Sequence, residues 1–202
     1  MAGRFVVLEG GDGSGKSTQA RRLASSLRER GVRVCETFEP GATPAGAVIR
    51  DLLLHHGAPI AETTEALLMA ADRAQHVTDQ IEPALAAGQW VVCDRYLPSS
   101  LVYQGVVRGL GVDVVEELNR AATARVAPDV VMVLDVPDAV AGARRASAAD
   151  RLESEGDAFH AAVRAAYRSL ATTRGWAIVD GEGDVETVAA RVWSHVEPLL
   201  AG

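Results

Sequence analysis

The sequence has little of what several large protein classes need. It has two cysteines, Cys35 and Cys93. Both lie in apolar, strand-like runs and are expected as small core residues rather than as a disulfide. There is no C-x-x-C pair. The five histidines, His55, His56, His76, His160 and His195, are scattered without an H-x-x-x-H spacing, so no metal centre is expected from them. There is no G-x-S-x-G elbow and hence no support for a nucleophilic mechanism. Positive charge is in deficit: the formal net charge is -7. That argues against a nucleic-acid partner, which would want a basic face. No apolar run is long enough to span a membrane. Phe5-Val6-Val7-Leu8 is too short for a secretory signal, and the cytoplasm is the expected location.

What remains is an ordinary globular composition, 48% hydrophobic and 23% charged, over 202 residues. One domain, 1–202, is expected. Its organising stretch is Gly10-Gly11-Asp12-Gly13-Ser14-Gly15-Lys16-Ser17, followed by Thr18, which fits G-x-x-x-x-G-K-[ST]. An apolar run precedes it, and a helical pattern with Ala20, Leu23, Ala24 and Leu27 on one face follows. Glycines let successive N–H groups turn inward, and the helix N-terminus adds partial positive charge, so such a loop holds phosphate. Lys16 is expected on the β- and γ-phosphates of ATP and Ser17 on Mg²⁺.

Strands are expected at 5–8, 32–38, 90–93, 130–134 and 176–179. Helices are expected over 45–54, 62–80, 83–88, 99–107, 114–125, 138–145, 153–173 and 185–200. The 62–80 helix should bury Leu67, Leu68, Ala71, Ala74 and Val77, and Asp113 should cap the 114–125 helix. The strands read as apolar on both faces, as a buried parallel sheet requires. The fold expected is α/β: a P-loop NTPase with a doubly wound, five-stranded parallel sheet, helices on both faces, and a short lid at about 144–152. Ligands in such folds sit beyond the carboxyl ends of the strands, which points to Glu9, Glu39, Asp94, Arg95 and Asp135.

Asp94-Arg95-Tyr96 follows an apolar strand, so Asp94 is placed to act on Mg²⁺ and Arg95 offers a planar fork for phosphate. Arg50 and Arg73 lie on helical patterns, with Arg73 among small residues that leave room to cross a cavity. Arg144, Arg145 and Arg151 bracket a small-residue stretch, the pattern of a lid that closes arginines over a transferring phosphoryl group. No isolated carboxylate base is evident. A phosphate monoester has a second pKa of about 6 and needs no base at neutral pH, so a phosphate acceptor fits better than a hydroxyl.

Several stretches together resemble the bacterial thymidylate kinases. They are Leu8 to Gln19, Phe38-Glu39-Pro40-Gly41-Ala42-Thr43, Ala71-Asp72-Arg73-Ala74-Gln75-His76-Val77, Asp94-Arg95-Tyr96, Ser99-Ser100-Leu101-Val102-Tyr103-Gln104-Gly105 and Asp150-Arg151-Leu152-Glu153. The resemblance implies transfer of the ATP γ-phosphoryl group to dTMP, with Mg²⁺, in dTTP biosynthesis. It implies catalytic roles for Lys16, Asp12, Asp94, Arg95 and the lid arginines. It places Arg95 and Arg50 on the dTMP phosphate, and Arg73, Ser100 and Gln104 at the thymine edge. Tyr103 goes under the sugar, crowding out a 2′-hydroxyl. Glu39, Pro40, Met69 and Ser99 belong to the same substrate site, and Asp12 lies near the acceptor sugar or the metal. It also implies a homodimer built on long helices. Gly13 occupies a place where some members carry an arginine, which the lid then supplies. Three departures stand out: Phe38 replaces a common arginine, Met69 replaces the aromatic that stacks on thymine, and Val106 replaces a usual glycine.

Two other readings share parts of this pattern. A deoxynucleoside kinase would have the same P-loop sheet but a hydroxyl acceptor. A non-catalytic nucleotide switch would bind without turnover, against which Lys16, Ser17, Asp94 and Arg95 stand intact.

Overall fold

The structure is a computed structural model and describes residues 3–55, 59–123, 126–145 and 155–201. In chain order its elements are β1 (Phe5–Glu9), α1 (Lys16–Glu29), β2 (Val34–Phe38), α2 (Pro44–Leu54), α3 (Glu62–His76), α4 (Glu82–Ala86), β3 (Trp90–Asp94), α5 (Leu97–Ser100), α6 (Val112–Arg120), β4 (Val130–Asp135), α7 (Asp138–Arg145), α8 (Asp157–Arg174), β5 (Ala177–Asp180) and α9 (Val185–Val196). π-Helical turns join α3 to α4 (Val77–Ile81) and extend α5 (Leu101–Val107), and a 3₁₀ turn (Glu197–Ala201) closes the described chain.

The five strands form one parallel sheet in the order β2-β3-β1-β4-β5. β1 is central and wholly buried. Its alternate side chains serve opposite faces, as the pleat dictates. Val6 and Leu8 pack with Leu23, Leu27, Val188 and Val192 under α1 and α9. Phe5 and Val7 pack with Val77, Ile81 and Tyr96 on the other side. Register places Leu8 opposite Asp94 and Glu9 opposite Val133, so the polar strand ends of β1 and β3 stand side by side. The connection out of β1 runs toward β2 and that out of β3 runs the other way, to β4, so the winding reverses between these neighbouring strands, where such folds have their crevice.

Several expectations need correction. The edge strands β2 and β5 are only partly buried, because each has a neighbour on one side alone. Of the apolar stripe expected over 62–80, Val77 is fully buried, in the π turn, and the rest is not. Leu67 is 50% exposed, while Glu65, Ala66, Ala70, Asp72, Arg73 and His76 face inward. The inward stripe is largely ionic, and apolar periodicity points the other way. Helix α6 begins at Val112 after Gly111, and Asp113 makes no side-chain cap there. Helix α8 starts at Asp157, later than the expected 153.

Candidate active site

The loop after β1 adopts backbone conformations that L side chains resist. Gly10, Gly13 and Gly15 have φ values of 136°, 80° and 94°. A Cβ at Gly13 would lie 2.4 Å from the Ala141 carbonyl oxygen, on α7. The glycine is therefore demanded twice, by φ and by the approach of α7, and an arginine could not stand here without moving that helix. Gly13→Ala is expected to lower stability by about 1–3 kcal/mol, by left-handed strain plus overpacking, and to weaken ATP binding. Urea denaturation and ATP titration check both effects.

Helix α1 begins at Lys16 with no acid in its first turn and no side-chain cap. Its free N–H groups thus face the loop. Ser14 is buried, and its hydroxyl has no partner among the described residues. Lys16 is buried and donates to the Gly11 carbonyl at 2.9 Å. Burial, then the nearby Arg95, pulls the Lys16 ammonium down to about 8 despite the carboxylates of Asp12, Asp94 and Glu9. An anionic phosphate in the loop would supply the missing counter-charge.

Beyond β3 the chain turns sharply through Arg95, the one non-glycine residue of positive φ among those described, at 73°. The turn is tied down by Glu9, whose side chain is fully buried. Glu9 accepts from the Tyr96 and Ser99 N–H groups at 2.9 and 3.2 Å and from the Ser99 and Tyr167 hydroxyls at 2.7 and 2.8 Å. Burial pushes its carboxyl up, opposed by Arg95 and these donors. Glu9 is an anchor with its oxygens occupied, not a free base. Arg95 extends along the loop, donating to Gly10 and Ser99 at 3.3 and 3.2 Å, pairing with Asp12, and lying 5.3 Å over the Tyr103 ring. Burial alone would raise the Asp12 carboxyl, but Arg95 and then Lys16 outweigh it and hold it low. The Tyr103 hydroxyl donates to the second Asp12 oxygen at 3.2 Å, so both Asp12 oxygens face the Arg95–Tyr103 side.

Asp94 Oδ2 accepts from the Ser17 hydroxyl. Asp94 Oδ1 is buried and has no partner among the described residues. The Ser17 hydroxyl and the orphaned Asp94 oxygen, at the mouth of a phosphate loop, are the kind of oxygen donors that Mg²⁺ takes alongside water and nucleotide. No group of three His, Cys, Asp or Glu residues among those described could hold a metal alone.

The opposite wall comes from β2, α2, α3, α5 and the π turn. Arg73 is 2% exposed and bridges the wall. It pairs with Glu39, donates to Ser100 at 3.2 Å, bonds Asn119, and lies 5.3 Å over Tyr96. His76, fully buried, lies between Glu39 at 2.9 Å and Thr37 at 2.6 Å, and Thr37 continues to Gln80. Asp72 accepts from the Gly41 N–H at 2.9 Å, holding the Glu39-Pro40-Gly41 turn. Burial, then Glu39, pushes the Asp72 carboxyl up to about 6. A carboxyl raised above its ordinary 3.8 disfavours the fold once ionised, so stability from this group falls as pH rises from about 4 to about 6. Asp72→Asn keeps an acceptor for Gly41 and removes the charge. Its stability relative to the parent should grow from pH 4 to 6 and level off above, as read by urea midpoints.

One cavity of about 760 Å³ joins these parts. It runs from Gly13, Gly15, Lys16, Ser17 and Thr18, past Asp12, Asp94 and Arg95, to Phe38, Glu39, Pro40, Arg50, Met69, Arg73, Ser99, Ser100, Tyr103 and Gln104. Arg144 reaches it from α7 and donates to the Gly13 carbonyl at 3.5 Å. Arg151 and the Arg145 side chain lie outside what is described, as does most of the expected lid. Phe38, in place of an arginine, lies 6.0 Å beneath the Arg50 guanidinium, and Arg50 donates to Pro40 at 2.8 Å. Asp135 is not brought to the cavity; Arg164 and Arg168 bind it at 2.7 Å each and hold its carboxyl low against burial. Sequence reasoning missed Asn119, Tyr167 and Glu65 as supports of the site, since a polar side chain on the inner face of a helix leaves no periodic mark.

Comparison with known proteins agrees with this geometry. The family model for thymidylate kinase matches residues 8–192. A thymidylate kinase of a Synechococcus species is 48% identical over 198 residues, covering 97% of this chain and 95% of its own. Those of Thermomicrobium roseum and Leifsonia xyli are 46% and 47% identical over 201 and 194 residues, covering 97% and 94% of this chain and 95% and 92% of theirs. Matched by that model over residues 8–192 and by relatives 46–48% identical along nearly its whole length, the chain belongs to the thymidylate kinase family.

Proposed function

We propose that this enzyme transfers the γ-phosphoryl group of ATP to the 5′-phosphate of dTMP, giving dTDP and ADP. The observation that carries the reading is the single cavity joining a phosphate loop to a wall of Arg50, Arg95, Arg73 and Gln104. An oxygen of the dTMP phosphate attacks the γ-phosphorus, and the bond from that phosphorus to the bridging oxygen of ADP breaks. The acceptor is already dianionic at neutral pH, its second pKa being about 6, and no base is needed. In this reading Glu9 is engaged by four donors and Asp12 by Arg95 and Tyr103, and the unpartnered Asp94 oxygen is assigned to Mg²⁺, so none of the three is set aside as a base. Lys16 and the loop amides hold the ATP phosphates, Arg95 and Arg50 hold the acceptor, and Arg144 is positioned to add charge over the transferring group. Ser17 and Asp94 would hold Mg²⁺, which would supply charge neutralisation on the nucleotide phosphates.

Adenosine and thymidine joined 5′-to-5′ through five phosphates span donor and acceptor subsites. Such a molecule should inhibit competitively against both ATP and dTMP; competition with ATP alone would reject the shared cavity. Tyr103→Ala is expected to raise turnover on the ribonucleotide analogue relative to dTMP about tenfold, since a ring 5% exposed no longer fills the 2′ position. Equal discrimination in parent and variant would reject the steric account. Work in the cytoplasm as a homodimer belongs to the same proposal; exposed Val48 and Leu52 on α2 and Leu67 on α3 offer an apolar face on packed helices, which sedimentation tests.

A further inference from the structure

The carboxylate of Glu65 has no place in the chemistry above, yet it is 1% exposed, on the inner face of α3. It is not among the residues lining the cavity. Its Oε1 accepts from Gln104 Nε2 at 2.8 Å, and Gln104 is itself 1% exposed and lines the cavity. Arg108 Nε lies 3.7 Å from the same oxygen, while Arg108 NH2 binds Glu155 at 2.8 Å and the guanidinium lies 5.1 Å over Phe159. An arginine thus backs the buried acid and is held in place from its far side.

A carboxamide can be turned either way round, and only its partners decide which end faces a ligand. A carboxylate takes hydrogen bonds and gives none. Facing Glu65, Gln104 must present its NH₂ group, which leaves its carbonyl oxygen for the cavity. We propose that Glu65 is a positioning residue that fixes this orientation of Gln104 and so sets the base preference of the acceptor site. The inference rests on the reading of Gln104 as part of the base edge.

The neighbouring groups complete a pattern. Ser100 Oγ receives two bonds from Arg73 at 3.2 Å, leaving its own proton to give. The N–H groups of Arg73 are taken by Glu39, Ser100 and Asn119, so the wall offers a donor from Ser100 beside an acceptor from Gln104. Thymine and uracil present the complement, a carbonyl O4 next to an N3–H. Cytosine presents the reverse, an amino group next to a bare N3. With Gln104 turned round, an N–H would face N3, matching cytosine and leaving thymine's N3–H without an acceptor. Discrimination built on a hydrogen bond is larger than discrimination by shape, because the wrong base leaves buried polar groups unpaired.

The test compares kcat/KM for dTMP and dCMP in the parent, Glu65→Gln, Gln104→Ala and the double variant, with melting temperatures for each. Glutamine at 65 has the same shape but can give or take a hydrogen bond, so Gln104 is free to turn. The expected result is a fall of about tenfold in the dTMP-to-dCMP ratio for Glu65→Gln, carried by KM for the nucleotide. The double variant should then have the ratio of Gln104→Ala alone, because Glu65 acts only through Gln104. An equal fall for both nucleotides would mean that Glu65 only packs, and would overturn the proposal. A ratio unchanged in Glu65→Gln but reduced in Gln104→Ala would overturn it while leaving Gln104 at the base edge. A ratio unchanged in Gln104→Ala would remove Gln104 from that edge and the proposal with it.

Discussion

Arg95→Ala is expected to lower kcat/KM for dTMP on the order of 10²–10³-fold while changing ATP affinity less than about threefold. The guanidinium lies between the phosphate loop and the acceptor wall, bound to Gly10, Ser99 and Asp12 and resting on Tyr103. Its loss removes the planar fork from the acceptor phosphate and leaves Asp12 without its main counter-charge, so anion meets anion where dTMP should dock. Arg95→Lys should recover little, because an ammonium cannot reproduce the fork. Stability separates a second effect. Arg95 has φ of 73°, which costs about 1 kcal/mol for any residue with a Cβ. Arg95→Gly should therefore be more stable than Arg95→Ala by about that amount, though equally inactive. Chemical denaturation alongside initial rates reads both; equal stability would mean that the turn holds no strain.

Lys16→Met is expected to reduce turnover on the order of 10²–10³-fold and to abolish a pH dependence of nucleotide affinity. In the free protein the ammonium titrates at about 8, lowered first by burial. Bound phosphate favours the charged form, so binding takes up a proton wherever Lys16 is neutral. The sign follows: ATP affinity should hold steady below pH 8 and weaken above it, by up to about tenfold per pH unit. Calorimetric titration from pH 6.5 to 9.5 reads the slope. Flat affinity in the parent, or the same slope in Lys16→Met, would assign the titration elsewhere.

The parts legible in the sequence are those where backbone need and side-chain chemistry coincide. Glycines at 10, 13 and 15 mark positive φ, and apolar strands ending in Glu9 and Asp94 mark the crevice. Helix α3 was legible as a helix, but its buried face was not, for a physical reason. Its buried stripe of Glu65, Asp72, Arg73 and His76 is held by Gln104, Gly41, Glu39 and Ser100, all distant in sequence. Periodicity counts apolar residues and so selected Leu67, which faces outward. Asp135 misled in the opposite sense: it stands at a strand end as a ligand residue would, but α8 brings Arg164 and Arg168 to neutralise it. The Tyr103 and Gln104 positions depend on a π turn, whose wider winding no residue pattern announced.

The central claim is tested most directly by ADP release with ATP and Mg²⁺ against dTMP, dUMP, UMP, dCMP, dGMP and thymidine. Rapid turnover is expected on dTMP, less on dUMP, and none on thymidine, which lacks the phosphate that Arg50 and Arg95 are proposed to hold. Turnover on thymidine in preference to dTMP would contradict it, since a hydroxyl acceptor needs a carboxylate base, and the one unpartnered carboxylate oxygen described at this site, on Asp94, is assigned to Mg²⁺.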